Sequence, residues 1–325
     1  MNINLKDVNV LVTGGAGFIG SNLVEALLNL EANVTVFDNL ETGRISNLQE
    51  FEGNKHFTFI NGDIRDFDAC VNAVKGIDVI SHQAALGSVP RSIEFPHNTH
   101  AVNATGFLNM LHAAKEGGIK RFVYASSSSV YGDSQASPKI EGAEGNPLSP
   151  YAVTKSLNEK YAKVYNQLHD METVGLRYFN VFGPKQDPNG VYAAAIPKFI
   201  DKMMKGDEII VHGDGEQTRD FTYVKNAVMA NVLALTSANI SISGEVFNVA
   251  CGASYSLNEI LDSIKENMQK LELFNTSTSI KYGPERSGDV KHSLAEISKI
   301  TELLDYNSKY DFNKGIKEYV NFLKN

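Results

Sequence analysis

Tryptophan is absent from the 325-residue chain, cysteine occurs only at Cys70 and Cys251, and proline occurs only nine times. With no C-x-x-C pair and no histidine-rich tract, a disulfide framework is excluded and no metal site is expected. Long apolar runs are missing as well. Nothing approaches the roughly 20 residues that a membrane-spanning helix needs, and the stretch from Met1 to Asp7 has no signal-peptide pattern. The expectation is a cytoplasmic protein, in which the sequons at Asn103, Asn239 and Asn275 arise by chance. Positive charge is in deficit, with 30 Lys and Arg against 38 Asp and Glu, a net charge of −8. That balance argues against a nucleic-acid surface, which needs clustered basic residues. An anionic ligand must then be met by a few placed arginines and by helix N-termini. Neither an internal repeat nor a heptad run is present.

What is there describes an ordinary globular protein, 42% hydrophobic and 21% charged. The length exceeds one compact core and suits two lobes. The organising stretch is Val10-Leu-Val-Thr-Gly-Gly-Ala-Gly-Phe-Ile-Gly20. Val8 to Val12 reads as a buried parallel strand, and Leu23, Leu27 and Leu30 begin a helical spacing. Between them, Gly14, Gly17 and Gly20 let the backbone turn tightly and approach a ligand, with the helix N-terminus facing a pyrophosphate. Asp38 closes a second strand, Val34 to Asp38, and a carboxylate there can accept both hydroxyls of a ribose. Three glycines alone would also serve a structural turn. The strand before them, the helix after them and the carboxylate favour a dinucleotide site.

Strands and helices alternate through the first half. Phe57 to Asn61, Val79 to His82, Arg121 to Ser127 and Thr173 to Arg177 read as strands, and Asn103 to Ala114 as a helix. This βαβ repetition predicts a Rossmann-type, doubly wound parallel sheet with ligands at the carboxyl ends of its strands. Asp38, Asp63, Gln83 and Ser127 all fall at such ends. After Asn180 the pattern loosens into helices at Pro197 to Met204, Val224 to Leu235 and Leu257 to Met268, and strands at Glu208 to Val211 and Gly244 to Val249. The expected division is a Rossmann domain over 1–180 and a smaller C-terminal α/β substrate lobe over 181–325, exchanging one or two elements with the sheet.

The chemistry is expected at Ser127, Tyr151 and Lys155. Ser149-Pro150 marks a helix start, and four-residue spacing puts Tyr151 and Lys155 on one face. A phenol, with a pKa of about 10, is a poor base at neutral pH; a nearby ammonium brings it into range. Lys155 can also hold a ribose hydroxyl, and a Ser127 hydroxyl at the strand end can bond the substrate oxygen that loses its proton. Y-x-x-x-K also occurs on solvated helix faces. Its place behind the glycine turn and the serine cluster argues against that reading.

The motifs T-G-G-A-G-F-I-G, S-S-S-S-V-Y-G, Y-A-V-T-K and R-Y-F-N-V-F-G-P resemble the extended short-chain dehydrogenase/reductase superfamily, and within it the UDP-hexose 4-epimerases. Gln83 to Ser92, Gln186 to Gly190 and Gly288 to Ala295 are similar to the bacterial UDP-N-acetylglucosamine 4-epimerases. The resemblance implies NAD as cofactor, held by the glycine turn with Phe18, Ile19, Asp38, Asn39, Gly43, Asp63, Ile64, Gln83, Ala84, Asn103, Tyr151, Lys155 and Tyr178. It implies a UDP-sugar on Ser127, Asn180, Ala194, Ala195, Val211, His212, Arg219, Arg286, Asp289 and Ser293, and a homodimer through helices near 107–114 and 153–168. One departure is Gly87, where some galactose-type epimerases carry a lysine near the cofactor. Another is Ser128 and Ser129, where the related 4,6-dehydratases carry an Asp-Glu pair. The expected activity is C4 epimerisation of UDP-N-acetylhexosamines through a 4-keto sugar, serving surface polysaccharide precursors, with UDP-glucose and UDP-galactose as further substrates. The alternatives are a UDP-N-acetylglucosaminuronate 4-epimerase, a nucleotide-sugar 4-reductase or dehydrogenase using exchangeable cofactor, and a non-catalytic NAD-sensing module.

Overall fold

The computed structural model describes residues 3–189, 193–284 and 292–324. Its centre is a sheet of seven strands: β1 (Asn9–Thr13), β2 (Asn33–Asp38), β3 (Phe57–Asn61), β4 (Val79–His82), β5 (Arg121–Ser127), β6 (Glu172–Tyr178) and β7 (Glu245–Val249). All neighbours are parallel, in the order β7-β6-β5-β4-β1-β2-β3. The order reverses between β1 and β4, and such a switch point opens a crevice beyond the strand ends. Val10, Leu11 and Val12 are fully buried. An uninterrupted apolar run is what a strand covered on both faces requires.

The expected strands form with small shifts at their ends, and helices cover both faces. Leu23, Val24 and Leu27 of the helix Phe18–Asn29 are buried. The helix Val224–Thr236 packs against it and is buried on nearly every side, so its apolar residues run all round its surface. That helix and β7 come from beyond residue 180 yet belong to the sheet's layers. The expected helix over Asn103 to Ala114 begins instead as a π-helical turn, Ala101–Gly106, and becomes regular over Phe107–Glu116. Side-chain demands account for this widening: Asn103 bonds the backbone of Leu86, and a Cβ on Gly106 would lie 2.6 Å from Ile64 Cγ1. Phe107, Met110 and Leu111 are buried in the core.

The rest of the second half builds small sheets over the carboxyl edge. Thr218–Asp220 lies between antiparallel Ser254–Ser256 and parallel His292–Ser293, while Ile209–His212 pairs in parallel with Ile280–Gly283. Asp220 ties the first of these together. Its buried carboxylate accepts the Cys251 and Gly252 N–H groups at 3.0 Å each and that of Ala295 at 3.4 Å. Among the described residues no helix is long and apolar enough to cross a membrane.

Candidate active site

Two adjoining cavities of about 530 and 700 Å3 lie along the carboxyl edge and share Asn180, Val181 and Ala194. Gly14, Gly17, Phe18, Ile19 and Gly20 line the first, with Asp38, Asn39, Asp63 and Ile64 toward one end. Gln83, Ala84, Ser127, Tyr151, Lys155 and Tyr178 line it as well. The sheet register causes the convergence, because Thr13 of β1 lies beside His82 of β4 and both chains turn at the same level. Gly14 has φ +67°, and a Cβ there would stand 2.6 Å from the backbone N of Ala84. Only glycine lets the two turns touch.

These residues fit a dinucleotide. The helix Phe18–Asn29 has no side-chain cap at its N-terminus, and its first residues face the cavity, the arrangement that receives a diphosphate. At the far end Asp38 is buried, accepting the Ala16 N–H at 2.9 Å and the Leu40 N–H at 2.8 Å. Burial raises its pKa and these two bonds oppose the rise. Beyond it, Asp63 takes the Arg65 guanidinium and the Asn39 amide, the latter at 2.8 Å. The Arg65 bond above all holds the Asp63 carboxyl down at about 2. Both arginines near the ribose end are paired: Arg65 with Asp63 and Glu41, Arg44 with Asp187. Neither is left to meet a 2′-phosphate, which agrees with an NAD site carrying a carboxylate at the second strand end.

Two expected cofactor residues lie behind the wall. Asn103 is buried, giving its amide to Leu86 O at 3.2 Å and Thr154 Oγ1 at 3.3 Å while accepting the Leu86 N–H at 2.8 Å. It shapes the cavity by fixing the loop after β4. Gly43 packs on the glycine turn, where a Cβ would meet the Ala16 carbonyl carbon at 2.9 Å. Conversely, Gln186 enters the lining from the loop after β6, and its Oε1 is buried with no hydrogen-bond partner.

The reactive set sits where β5 ends and the helix Pro150–His169 begins. Ser149 caps that helix, accepting the Ala152 N–H at 3.1 Å, with Pro150 in its first turn. The loop between doubles back on itself, Asp133 N–H to Asn146 O and Gly145 N–H to Tyr131 O at 3.1 Å each. This brings Tyr151 to the same cavity wall as Ser127. Burial raises the phenol's pKa and Ser127 opposes the rise. Lys155 Nζ donates to Ala125 O at 2.8 Å and stands 6.0 Å from the Tyr151 ring centre. Burial lowers this ammonium to about 8. Ser127 Oγ in turn accepts the Ser129 hydroxyl at 2.9 Å and the Ser129 N–H at 3.2 Å.

Ala194, Ala195, Val211, His212 and Arg219 line the second cavity, as expected for the substrate side. Ser293 is not in that lining but pairs with Arg219 in strand register. Arg286 and Asp289 lie outside the described residues. The sequence reading missed Asn231, which is fully buried on the helix Val224–Thr236. It gives its amide to the Tyr178 hydroxyl at 2.7 Å and accepts from Gln83 Nε2 at 3.0 Å. An asparagine in an all-apolar helix stretch was the available signal, since buried amides need partners. Among the described residues no His, Cys, Asp and Glu cluster suits a metal ion.

Residues 10–250 match the model of the NAD dependent epimerase/dehydratase family. The UDP-glucose 4-epimerase of Mycolicibacterium smegmatis is 34% identical over 98% of this chain and 99% of its own. Among solved structures, the UDP-N-acetylglucosamine 4-epimerase from Methanobrevibacter ruminantium M1, in complex with UDP-N-acetylmuramic acid, superposes with TM-score 0.90 at 39% identity over 98% of each chain. The UDP-glucose 4-epimerase of Thermus thermophilus in complex with NAD gives 0.84 at 33% identity, over 97% of this chain and 98% of that one. With its parallel sheet, its uncapped glycine-turn helix and its Ser-Tyr-Lys set, this chain belongs to the NAD-dependent epimerase/dehydratase family.

Proposed function

We propose that the protein is a UDP-sugar C4 epimerase whose preferred substrates are UDP-N-acetylhexosamines. The observation that carries this reading is the convergence of Ser127, Tyr151 and Lys155 on the wall of the cofactor cavity, beside its junction with a second cavity lined by Arg219. The same family includes dehydratases, but water loss needs an acid and a base at positions held here by Ser128 and Ser129. Ser129 instead supports Ser127 by hydrogen bond. NAD, held by the glycine turn, Asp38 and Lys155, supplies a reversible hydride acceptor for the sugar C4, so that a transient 4-keto sugar can be reduced on either face. Tyr151 takes and returns the proton of the 4-hydroxyl, and Ser127 orients that oxygen. Arg219 grips the diphosphate, joined by Arg286. Ala194 and Ala195 give the sugar room to turn about its diphosphate link. Residues 1–180 serve the cofactor and 181–325 the substrate, with β7 and the helix Val224–Thr236 lent to the sheet; the cytoplasm supplies the nucleotide sugar.

Tolerance of the acetamido group is assigned to Ser293. Its place beside Arg219 in register puts a small side chain next to the diphosphate grip. An acetamido group in place of the 2-hydroxyl adds three heavy atoms, for which a packed pocket has no spare room. Ser293→Tyr is expected to abolish turnover of UDP-N-acetylglucosamine while UDP-glucose turnover persists. Equal loss of both, with a lowered melting temperature, would show the residue to be structural only.

The protein is further proposed to act as a homodimer. Val153, Val164 and Leu168 stand exposed along the helix Pro150–His169, with Ile93 and Phe95 exposed nearby in sequence to its packing partners. The helix Phe107–Glu116 adds little, because its large apolar residues are spent in the core. Sedimentation equilibrium should give twice the 35.6 kDa chain mass. A monomer at micromolar concentration would refute the dimer.

A further inference from the structure

The helix Pro150–His169 carries a third ionisable group on the face that bears Tyr151 and Lys155. Glu159 follows Lys155 by four residues, one turn further along. Its side chain is 13% exposed and its carboxylate takes three donors: Ser126 Oγ at 2.5 Å, and Arg177 Nε and Nη2 at 2.8 Å each. Arg177 comes from β6, is itself 3% exposed, and also donates to the Tyr131 hydroxyl at 3.0 Å and to Glu144. Burying such a pair costs desolvation that its attraction barely returns, so stability alone is a weak reason for it.

Its position points to another use. Lys155 and Glu159 grip successive residues of β5: the ammonium holds Ala125 O and the carboxylate holds the Ser126 hydroxyl. Ser127, on the same cavity wall as Tyr151, is the next residue. The pair also forms a fixed dipole whose negative end belongs to the helix that carries Lys155. We propose that Glu159, fixed by Arg177, is the positioning residue of the reactive set, keeping Lys155 protonated and setting the strand end that presents Ser127 to Tyr151.

The surroundings of Lys155 leave Glu159 as the opposing charge. From β4, His82 is buried, bonded to Thr13 Oγ1 at 2.8 Å and lowered by burial to about 3, so it is neutral. From β5, Tyr124 is raised by burial and neutral as well. Tyr151 precedes Lys155 on the same helix, and the Arg177 charge is taken up by Glu159 and Glu144. Burial is the larger influence on the Lys155 ammonium and lowers its pKa, while the Glu159 charge raises it. An ammonium whose only bonded acceptor shown is a neutral carbonyl depends on that charge.

The proposal rests on Tyr151 performing the proton chemistry beside a charged Lys155, so its test uses two readouts, one of which needs no sugar. The first is the pH profile of kcat for the NAD-loaded enzyme. The second is the phenolate absorbance of Tyr151, taken as the difference between each protein and its Tyr151→Phe derivative. Glu159→Gln strands a buried guanidinium and can fail to fold, so it is joined by Glu159→Leu/Arg177→Met, which replaces the pair with apolar side chains. Both are expected to shift the alkaline limb of kcat down by roughly one pH unit, to move the phenolate titration upward, and to leave the sugar KM within a few-fold. Glu172→Gln breaks the Arg121–Glu172 pair at the opposite end of β5 and β6 and serves as the structural control. It should lower the melting temperature without moving either titration. A folded double variant whose profiles superpose on those of the wild type would overturn the proposal, as would an equal shift in the control.

Discussion

Tyr151→Phe is expected to fold, keep its NAD and lose about three powers of ten in turnover. The change removes one oxygen, on which Ser127 acts to lower the phenol's pKa, from a side chain whose ring stays in place. No other described group at this point can replace it. Ser127 and Ser129 are hydroxyls of far higher intrinsic pKa, and the Lys155 ammonium is committed to Ala125 O. Removing a general base costs about 100- to 10,000-fold, and a base that also returns the proton falls in the upper part of that range. The check is kcat beside the absorbance of cofactor released on denaturation. Activity within a few-fold of the wild type would take the role from Tyr151, and loss of NAD would make the defect one of binding.

The second large effect is expected from Gly20→Ala. A Cβ at this position would lie 2.2 Å from Gly14 O and 2.8 Å from Gly15 Cα. Both atoms are backbone, so no side chain can swing aside, and the helix Phe18–Asn29 must back away from its own turn. Overpacking of this kind costs about 1–3 kcal/mol, and fixed backbone on the other side places this case at the upper end or beyond. The displaced helix N-terminus would no longer meet a diphosphate, so the purified variant should carry no NAD. Denaturant midpoints and the nucleotide content of the purified protein measure the two effects. A variant of wild-type stability that retains NAD would show that the turn is looser than its contacts indicate.

Much of the cofactor site was legible because its signals are local. A strand, three glycines, a helix and a carboxylate follow one another within residues 9–38, and the Ser149-Pro150 start fixes the face shared by Tyr151 and Lys155. What stayed hidden depends on partners far apart in the chain. Gln83 meets Asn231 across 148 positions, Cys251 meets Asp220 across 31, and Ser126 meets Glu159 across 33. Periodicity assigns each of these to an element without saying which buried polar group completes its hydrogen bonds. The same holds for the short strands of the substrate side. Thr218–Asp220 is three residues long, too brief for a period to register, and is defined by its neighbours and the Asp220 bonds. Asn103 falls where a cofactor contact was expected, and its bonds go to Leu86 in the loop after β4 and to Thr154 on the helix Pro150–His169.

The central claim is that bound NAD and the Ser127, Tyr151 and Lys155 set interconvert C4 epimers without net redox change. The most direct test incubates the purified protein, with no nucleotide added, with UDP-N-acetylglucosamine in deuterated water and follows the sugar by proton NMR. The account predicts a mixture of the two C4 epimers, no deuterium at C4, and an unchanged amount of protein-bound NAD. Formation of a keto, dehydrated or reduced sugar, or a requirement for stoichiometric added nicotinamide nucleotide, would contradict it.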